Sequence, residues 1–159
     1  MAGLGGQSGV LVLLICRVGA RLCGIPLEHV VETMRPLPTQ PLPQLPDFVE
    51  GVALIRGSPT VVLDTHRLLG AEHGPRVHQR YVTIRLGARR LALAVDAVLG
   101  VRHLEQDELN ELPALLREPG NDLVQALGTL DHELLCVLER SRLLPESAWQ
   151  SLAGEARAP

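Results

Sequence analysis

Short runs rich in Val, Ile and Leu, separated by turn residues, constrain the fold of this chain more than any other feature. There are about ten runs, spaced roughly 8 to 12 residues apart, a rhythm typical of β-barrels and β-sandwiches. They are Val10–Val18, Arg21–Ile25, Val30–Met34, Gly51–Gly57, Thr60–Asp64, Arg80–Leu86, Arg90–Val95, Val98–Leu104, Leu123–Leu130 and Leu134–Leu138. The blocks before and after residues 70–79 resemble each other in rhythm, so the sequence predicts two small barrels packed side by side.

The segments between the runs predict extended connections and short helices. Five prolines between residues 36 and 46 exclude a helix and favour a stiff, extended connector, because proline lacks a backbone N–H group. Asp47–Glu50 is predicted to form one helical turn, and Thr65–Leu69 a short helix that ends at Gly70. Weak helical patterns follow near the C-terminus, where Trp149 offers a large apolar surface to dock the tail.

One hairpin stands out among the runs, because Arg56 lies in its otherwise apolar first strand. The turn residues Gly57-Ser58-Pro59 separate that strand from Thr60–Asp64. An arginine at this position either lies at the strand end with its guanidinium group in water, or pairs with a carboxylate within reach. The residues alone leave both alternatives open.

Composition and charge argue against several classes of function. Aromatic residues make up 2% of the chain and the net charge is −3, so the stacking platforms and basic surface of most nucleic-acid-binding proteins are absent from the sequence. We find no glycine-rich phosphate loop, serine nucleophile elbow or paired metal motif, and expect no catalytic residue, cofactor or metal. The apolar run Val10–Ile15 is too short to span a bilayer and lacks the layout of a signal peptide, which favours a cytoplasmic protein without direct membrane insertion.

Cysteine, histidine and acidic residues match no recognised metal frame. We expect the three cysteines, Cys16, Cys23 and Cys136, to be free and buried, although Cys16 and Cys23 could face each other across a hairpin. His66, His73 and His78 are predicted to lie in solvent. The acidic segment 105–111 is predicted to form a solvated face, and Asp96 to accept backbone hydrogen bonds at a bend.

Four segments carry a pattern that is informative through its order and spacing. They are Cys23-Gly24-Ile25-Pro26 with Val30 and Glu32; Gly51-Val52 with Ile55-Arg56-Gly57 and Asp64; Leu93-Ala94-Val95-Asp96 with Val98 and Val101; and Leu127-Gly128-Thr129-Leu130 with Leu134–Glu139 and Leu143-Leu144. From about Val10 to Leu144, this arrangement resembles the CheW family of chemotaxis coupling proteins.

The resemblance implies a mainly β fold of two intertwined SH3-like five-stranded barrels, with short helices and a C-terminal helical tail. It divides the chain into a flexible tail at 1–8, a CheW-like domain at 9–148 and a C-terminal tail at 149–159. The domain would consist of two barrel subdomains, from strand blocks of roughly 10–70 and 79–140, with an exchange of terminal strands between them left open.

The resemblance also implies a function. The protein would be a non-catalytic adaptor that couples the cytoplasmic domain of a methyl-accepting chemoreceptor to the regulatory domain of a CheA-type histidine kinase. It would be cytoplasmic and recruited to membrane-associated or cytoplasmic receptor arrays. Val30 would face the receptor groove, Glu32 and Arg56 would form the charged pair that shapes it, and Leu54 and Gly57 would complete the partner-binding set. A purely architectural role for the charged pair stays open.

Four residues depart from those usual in the family: Leu54, Val61, Thr65 and Ala92. One open alternative is therefore a divergent coupling protein that binds receptor but not kinase. An alternative of another class is a small β-barrel that binds nucleic acid, motivated by the predicted barrels and by the fifteen basic residues, all arginine. That alternative requires a salt-dependent affinity for RNA or DNA.

Overall fold

Strands dominate the residues that the computed structural model describes, which are 9–70, 80–111, 124–138, 147, 149 and 150. They are β1 (Val10–Val18), β2 (Arg21–Pro26), β3 (Val30–Met34), β4 (Val49–Ile55), β5 (Ser58–Asp64), β6 (Arg80–Leu86), β7 (Arg89–Val95), β8 (Ala97–Glu105), β9 (Asn110–Glu111), β10 (Val124–Leu130) and β11 (Glu133–Leu138). A short helix, α1 (Thr65–Leu68), follows β5, and single 3₁₀ turns lie at Leu27–His29 and Gln106–Glu108. The mainly β prediction is confirmed.

The strands form two sheets, one inserted into the other along the chain. The six-stranded sheet has the order β8-β1-β2-β11-β10-β9, and the five-stranded sheet has the order β3-β6-β7-β5-β4. All strands of the five-stranded sheet lie between β2 and β8 in sequence. Most neighbours are antiparallel, but β11 runs parallel to β2, and β5 runs parallel to β7. The two sheets are therefore intertwined along the chain, as predicted.

The core has three parts, and the largest lies between the sheets. This inter-sheet core combines Leu14, Cys16, Val18, Cys23, Ile25 and Leu138 of the six-stranded sheet with Val61, Leu63, Val82, Ile84, Leu91, Leu93 and Val95 of the five-stranded sheet. A second buried cluster lies on the other face of each sheet. Residues of β1 alternate between two clusters, so this strand is buried on both faces and has no polar side.

The proline-rich connector covers the edge of β4. Gln40 and Val52 exchange two backbone hydrogen bonds, each 2.9 Å long, and the Tyr81 hydroxyl donates to the carbonyl oxygen of Leu37 at 3.0 Å. Gly51 permits this close approach: it has a φ of 149°, and a Cβ atom there would overlap the carbonyl group of Gln40. The connector is thus extended, as predicted, and it shields an edge that would otherwise expose unpaired backbone groups.

Of three local predictions, two are wrong. Residues 47–50 do not form a helical turn, because Pro46 and Val49 close a turn with a 3.0 Å hydrogen bond and β4 begins at Val49. The prediction of a solvated face is confirmed at Glu105, Asp107 and Glu108, whose side chains are exposed, and pairing with β10 adds the two-residue strand β9 to this segment. His66 does not lie in solvent; its side chain is only 3% exposed, because α1 turns it inward.

Other predictions concern residues outside the described part of the chain: the tail at 1–8, His73 and His78, the loop from Pro113, the helix at 141–144 and the end of the C-terminal tail. Within the described part, Trp149 packs against the inter-sheet core, and the Arg89 guanidinium group lies 4.9 Å from the centre of its ring. The predicted docking of Trp149 is therefore confirmed. No helix among the described residues is both long and apolar enough to cross a bilayer.

Candidate functional site

The β4–β5 turn places Arg56 at the tip of a hairpin. Ile55 and Ser58 form the last residue pair, so Arg56 and Gly57 make the turn, with φ values of 50° and 80°. Positive φ at both positions fits the twist of a two-residue hairpin turn. Glycine adopts this conformation freely, whereas for arginine it costs about 1–2 kcal/mol. Backbone strain in a residue other than glycine motivates a functional role for its side chain.

A β-bulge in β3 positions Glu32. The register with β6 shifts between Val30 and Glu32, which leaves Val31 outside the regular pairing. The buried Thr83 hydroxyl accepts a hydrogen bond from the Glu32 amide and donates one to the Glu32 carbonyl oxygen, both at 3.2 Å. The two hydrogen bonds of Thr83 thus replace the backbone hydrogen bonds between β3 and β6 that the bulge interrupts, and they fix the backbone of Glu32.

Glu32 and Arg56 form a two-point ion pair. Nε of Arg56 donates to Oε2 of Glu32 at 2.7 Å, and Nη2 donates to Oε1 at 2.9 Å. This hydrogen bonding lowers the pKa of Glu32 and raises the pKa of Arg56. The Arg56 side chain is 75% exposed and that of Glu32 is 26% exposed. Because β3 and β4 are the two ends of the five-stranded sheet, the pair ties these ends together and favours a closed barrel.

The other predicted site residues lie near this pair in different settings. Leu54 on β4 is 66% exposed and faces Pro59 on β5, which is exposed as well. Gly57 completes the turn, and a Cβ atom there would meet nothing within 4 Å. Val30 precedes the bulge, but its half-buried side chain packs against the inter-sheet core. The structure therefore brings Glu32 and Arg56 into contact. Leu54 and Gly57 lie in the same hairpin as Arg56. Val30 lies on the neighbouring strand β3, where its side chain packs against the inter-sheet core.

Sequence reasoning missed three residues that shape this site. Thr83 holds the backbone of Glu32, Val31 is turned outward by the bulge, and the charge of Arg90 helps to lower the pKa of Glu32. A bulge arises from pairing between strands and leaves no local pattern, so no feature of the sequence indicated Thr83 or Val31. The arginine pair 89–90 at the start of β7 was the one available signal for Arg90.

A second polar cluster joins elements of both sheets. Nε2 of His66 lies 2.7 Å from Oδ1 of Asp96, whose Oδ2 accepts a 2.7 Å hydrogen bond from the amide of Gly19. His66 follows β5, Asp96 lies between β7 and β8, and Gly19 lies in the β1–β2 turn. The prediction that Asp96 accepts a backbone hydrogen bond at a bend is confirmed, and the cluster connects the two sheets.

The three cysteines lie side by side on neighbouring strands. Cys16 of β1 pairs with Cys23 of β2, which pairs with Cys136 of β11. All three are free and buried, as expected. Burial raises the pKa of Cys16 to about 12 and also raises the pKa values of Cys23 and Cys136. Thiols that stay protonated are weak nucleophiles and weak metal ligands, so this row is not a reactive site.

Comparisons with known proteins agree on one family. A family model described as a CheW-like domain matches residues 12–148. Protein FrzA of Myxococcus xanthus is 33% identical over 148 residues, which cover 86% of this chain and 87% of FrzA. Chemotaxis protein CheW of Rhizobium meliloti is 22% identical over 139 residues, which cover 87% of this chain and 90% of that protein.

One solved structure supports the fold. The scaffolding protein TtCheW from Thermoanaerobacter tengcongensis superposes with a TM-score of 0.72 at 19% identity, covering 82% of this chain and 90% of that one. The two curled sheets correspond to two SH3-like barrels, as predicted. The six-stranded sheet differs from the predicted five strands through the short β9 at its edge.

Proposed function

This chain belongs to the CheW-like domain family, and from that premise we propose that it is a non-catalytic adaptor that couples chemoreceptors to a CheA-type histidine kinase. In this role it acts in the cytoplasm, at membrane-associated or cytoplasmic receptor arrays. Its receptor-binding residues are Val30, Glu32, Leu54, Arg56 and Gly57.

The observation that carries the proposal is the Glu32–Arg56 pair. Arg56 occupies a strained turn position, yet its guanidinium group is held at two points and remains largely exposed. A surface ion pair adds only modestly to stability, and the strained turn conformation of Arg56 offsets this gain, so stability alone does not account for an arginine at this position. A fixed, exposed guanidinium group beside an exposed leucine suits the docking of a partner.

The partner in this proposal is the helical hairpin at the cytoplasmic tip of a chemoreceptor. A helix that lies against a protein surface gains affinity from its apolar side chains, while flanking charges fix its register. Leu54 supplies the apolar contact here, and the Glu32–Arg56 pair supplies the charges.

Calorimetry with a receptor cytoplasmic fragment tests the receptor half of the proposal. We expect Arg56→Glu to weaken binding by about tenfold or more, and Val30→Glu to weaken it as well. The matched control is Arg17→Glu, because Arg17 forms a similar two-point pair with Glu133, at 2.9 and 3.0 Å, elsewhere on the surface. Equal receptor affinity for the wild type and all three variants would contradict the assignment of these receptor-binding residues, provided that thermal unfolding shows each variant to be folded.

A charge reversal separates binding from architecture. The double variant Glu32→Arg with Arg56→Glu restores an ion pair but inverts the charges that a partner meets. We expect it to recover the stability lost in Arg56→Glu without recovering receptor affinity. Recovery of affinity would mean that the pair is architectural.

Calorimetry against the regulatory domain of a CheA-type kinase tests the second half. We expect the wild-type protein to bind that domain and the Arg56→Glu variant to bind it with similar affinity. If titration with the receptor fragment gives a heat of binding and titration with the kinase domain gives none, the alternative is favoured: a divergent coupling protein that binds receptor alone.

A further inference from the structure

The chain passes between the two sheets at two short crossings. Among the described strands, β2 of the six-stranded sheet leads into β3 of the five-stranded sheet through Leu27–His29, and β7 returns to β8 through Asp96 alone. Between the sheets lies the inter-sheet core, whose apolar attraction has no preferred direction. Because a few connecting residues can act as a hinge, polar contacts near a crossing are well placed to fix the angle between the sheets.

Asp96 makes the second crossing into a polar junction. Its amide donates to the Arg17 carbonyl oxygen at 2.9 Å, and its Oδ2 accepts from the Gly19 amide at 2.7 Å. Its Oδ1 lies 2.7 Å from Nε2 of His66. Because a carboxylate only accepts hydrogen bonds, Nε2 donates this one. A single side chain thus joins the β1–β2 hairpin of one sheet to the helix α1 that follows β5 of the other.

The β1–β2 turn also packs closely against α1. A Cβ atom at Gly19 would lie 3.1 Å from Cε1 and 3.4 Å from Nδ1 of the His66 ring. Arg21, at the other end of the turn, donates from Nη1 to the carbonyl oxygen of Leu69, the residue that caps α1, at 2.7 Å. The His66 side chain is buried, so water competes little for its hydrogen bond to Asp96. Directional bonds therefore hold the turn and the helix together at two points.

We propose that these residues form an inter-sheet latch that fixes the angle between the two barrels, with His66 as its positioning residue. The latch consists of Gly19, Arg21, His66, Leu69 and Asp96. When it is closed, the sheets keep one angle; when it is broken, they rock about the crossings at Leu27–His29 and Asp96. The inference goes beyond the proposed function, because it concerns the protein without any partner.

Pulsed electron paramagnetic resonance on the whole chain measures this angle as a distance between two spin labels. Labels at Leu54→Cys and Leu134→Cys lie at exposed positions on different sheets, whereas labels at Leu99→Cys and Leu134→Cys lie at exposed positions on the same sheet. The three native cysteines are buried, so they stay unlabelled. We expect the protein with an intact latch to give one narrow distance for each pair.

Two variants separate the hydrogen bond of His66 from the volume of its side chain. His66→Leu keeps a buried side chain of similar size but removes the bond to Asp96, and His66→Gln keeps a donor near the position of Nε2. Loss of a hydrogen bond to a carboxylate raises the population of open states by about tenfold or more. His66→Leu should therefore broaden the distance between the sheets and leave the distance within one sheet unchanged. His66→Gln should keep both distances narrow.

Two glycine variants test the contact between the turn and the helix. Gly19 and Gly87 each begin a two-residue Gly-Ala turn, with φ values of 61° and 65°. Alanine therefore adds similar backbone strain to both turns. At Gly19 its Cβ atom presses on His66, whereas at Gly87 it meets no atom of the described residues within 4 Å. Gly19→Ala should shift or broaden the distance between the sheets, and Gly87→Ala should leave it unchanged.

Several outcomes would overturn the latch. They are an unchanged inter-sheet distance in His66→Leu, equal changes in Gly19→Ala and Gly87→Ala, and broadening in His66→Gln as large as in His66→Leu. Broadening of the distance within one sheet would also overturn it, because the whole fold would then have loosened. No partner enters these measurements, so failure of the latch leaves the adaptor function standing, and failure to bind a receptor leaves the latch standing.

Discussion

Replacing Gly51 with alanine should unfold the edge of the five-stranded barrel. Gly51 has a φ of 149°, and a Cβ atom would overlap the carbonyl oxygen of Gln40 and lie 2.7 Å from its carbonyl carbon. Relief requires the connector to move away, which breaks the two 2.9 Å backbone bonds between Gln40 and Val52. Each bond contributes about 1 kcal/mol, and the strained backbone costs about 1–3 kcal/mol.

The expected loss in the free energy of unfolding is therefore about 3–5 kcal/mol, which corresponds to a fall in Tm of about 6–20 °C. Urea unfolding followed by circular dichroism measures the free energy, and calorimetry measures Tm. Gly57→Ala is the matched control, because Gly57 also has positive φ, 80°, but a Cβ there touches nothing within 4 Å. It should cost only about 1–2 kcal/mol. Equal losses for the two variants would refute the role assigned to the connector.

Three further predictions follow from buried and paired groups. The three cysteine thiols, with pKa values raised by burial, should react with a thiol reagent only after unfolding; fast reaction of the native protein would contradict their burial. Because Arg56 lowers the pKa of Glu32 in the folded state, the pair stabilises the protein above the usual carboxyl pKa, and this contribution should vanish as pH falls through the lowered value. The stability difference between wild type and Glu32→Gln, measured in urea from pH 7 to pH 3, should accordingly shrink toward acid; a constant difference would contradict the pairing. Thr65 is fully buried and its hydroxyl has no hydrogen-bond partner in the described structure, so Thr65→Val should raise the free energy of unfolding by about 1 kcal/mol, and a loss would point to an unrecognised partner.

The strands were predictable because most of their signal is local. Glycine turns and β-branched runs placed β1, β3 and β6 at the observed boundaries, and the apolar character of β1 correctly indicated burial on both faces. The two-residue strand β9 has no such signal, because pairing with β10 creates it.

Contacts between distant strands were harder to predict. The pairing of Cys16 with Cys23 follows from a hairpin, whereas Cys136 joins them through a parallel pairing that no local pattern indicates. The Glu32–Arg56 contact was expected only through the resemblance to a family, since 24 residues separate the two. The prediction that His66 lies in solvent was wrong because its burial depends on Asp96, 30 residues away, and on the packing of α1.

The insertion of one sheet within the other bears on how the chain folds during synthesis. Strands β3 to β7 form a continuous block, so the five-stranded barrel can assemble from neighbouring segments as they leave the ribosome. Strand β1 leaves first but pairs with β2 and β8, and β2 meets its second neighbour only when β11 appears. The apolar strand β1 therefore has β2 as its one sheet neighbour among the described strands until β8 is made, and β2 stays unpaired on its other side until β11 is made near the end of the described chain, which prolongs the need for a chaperone.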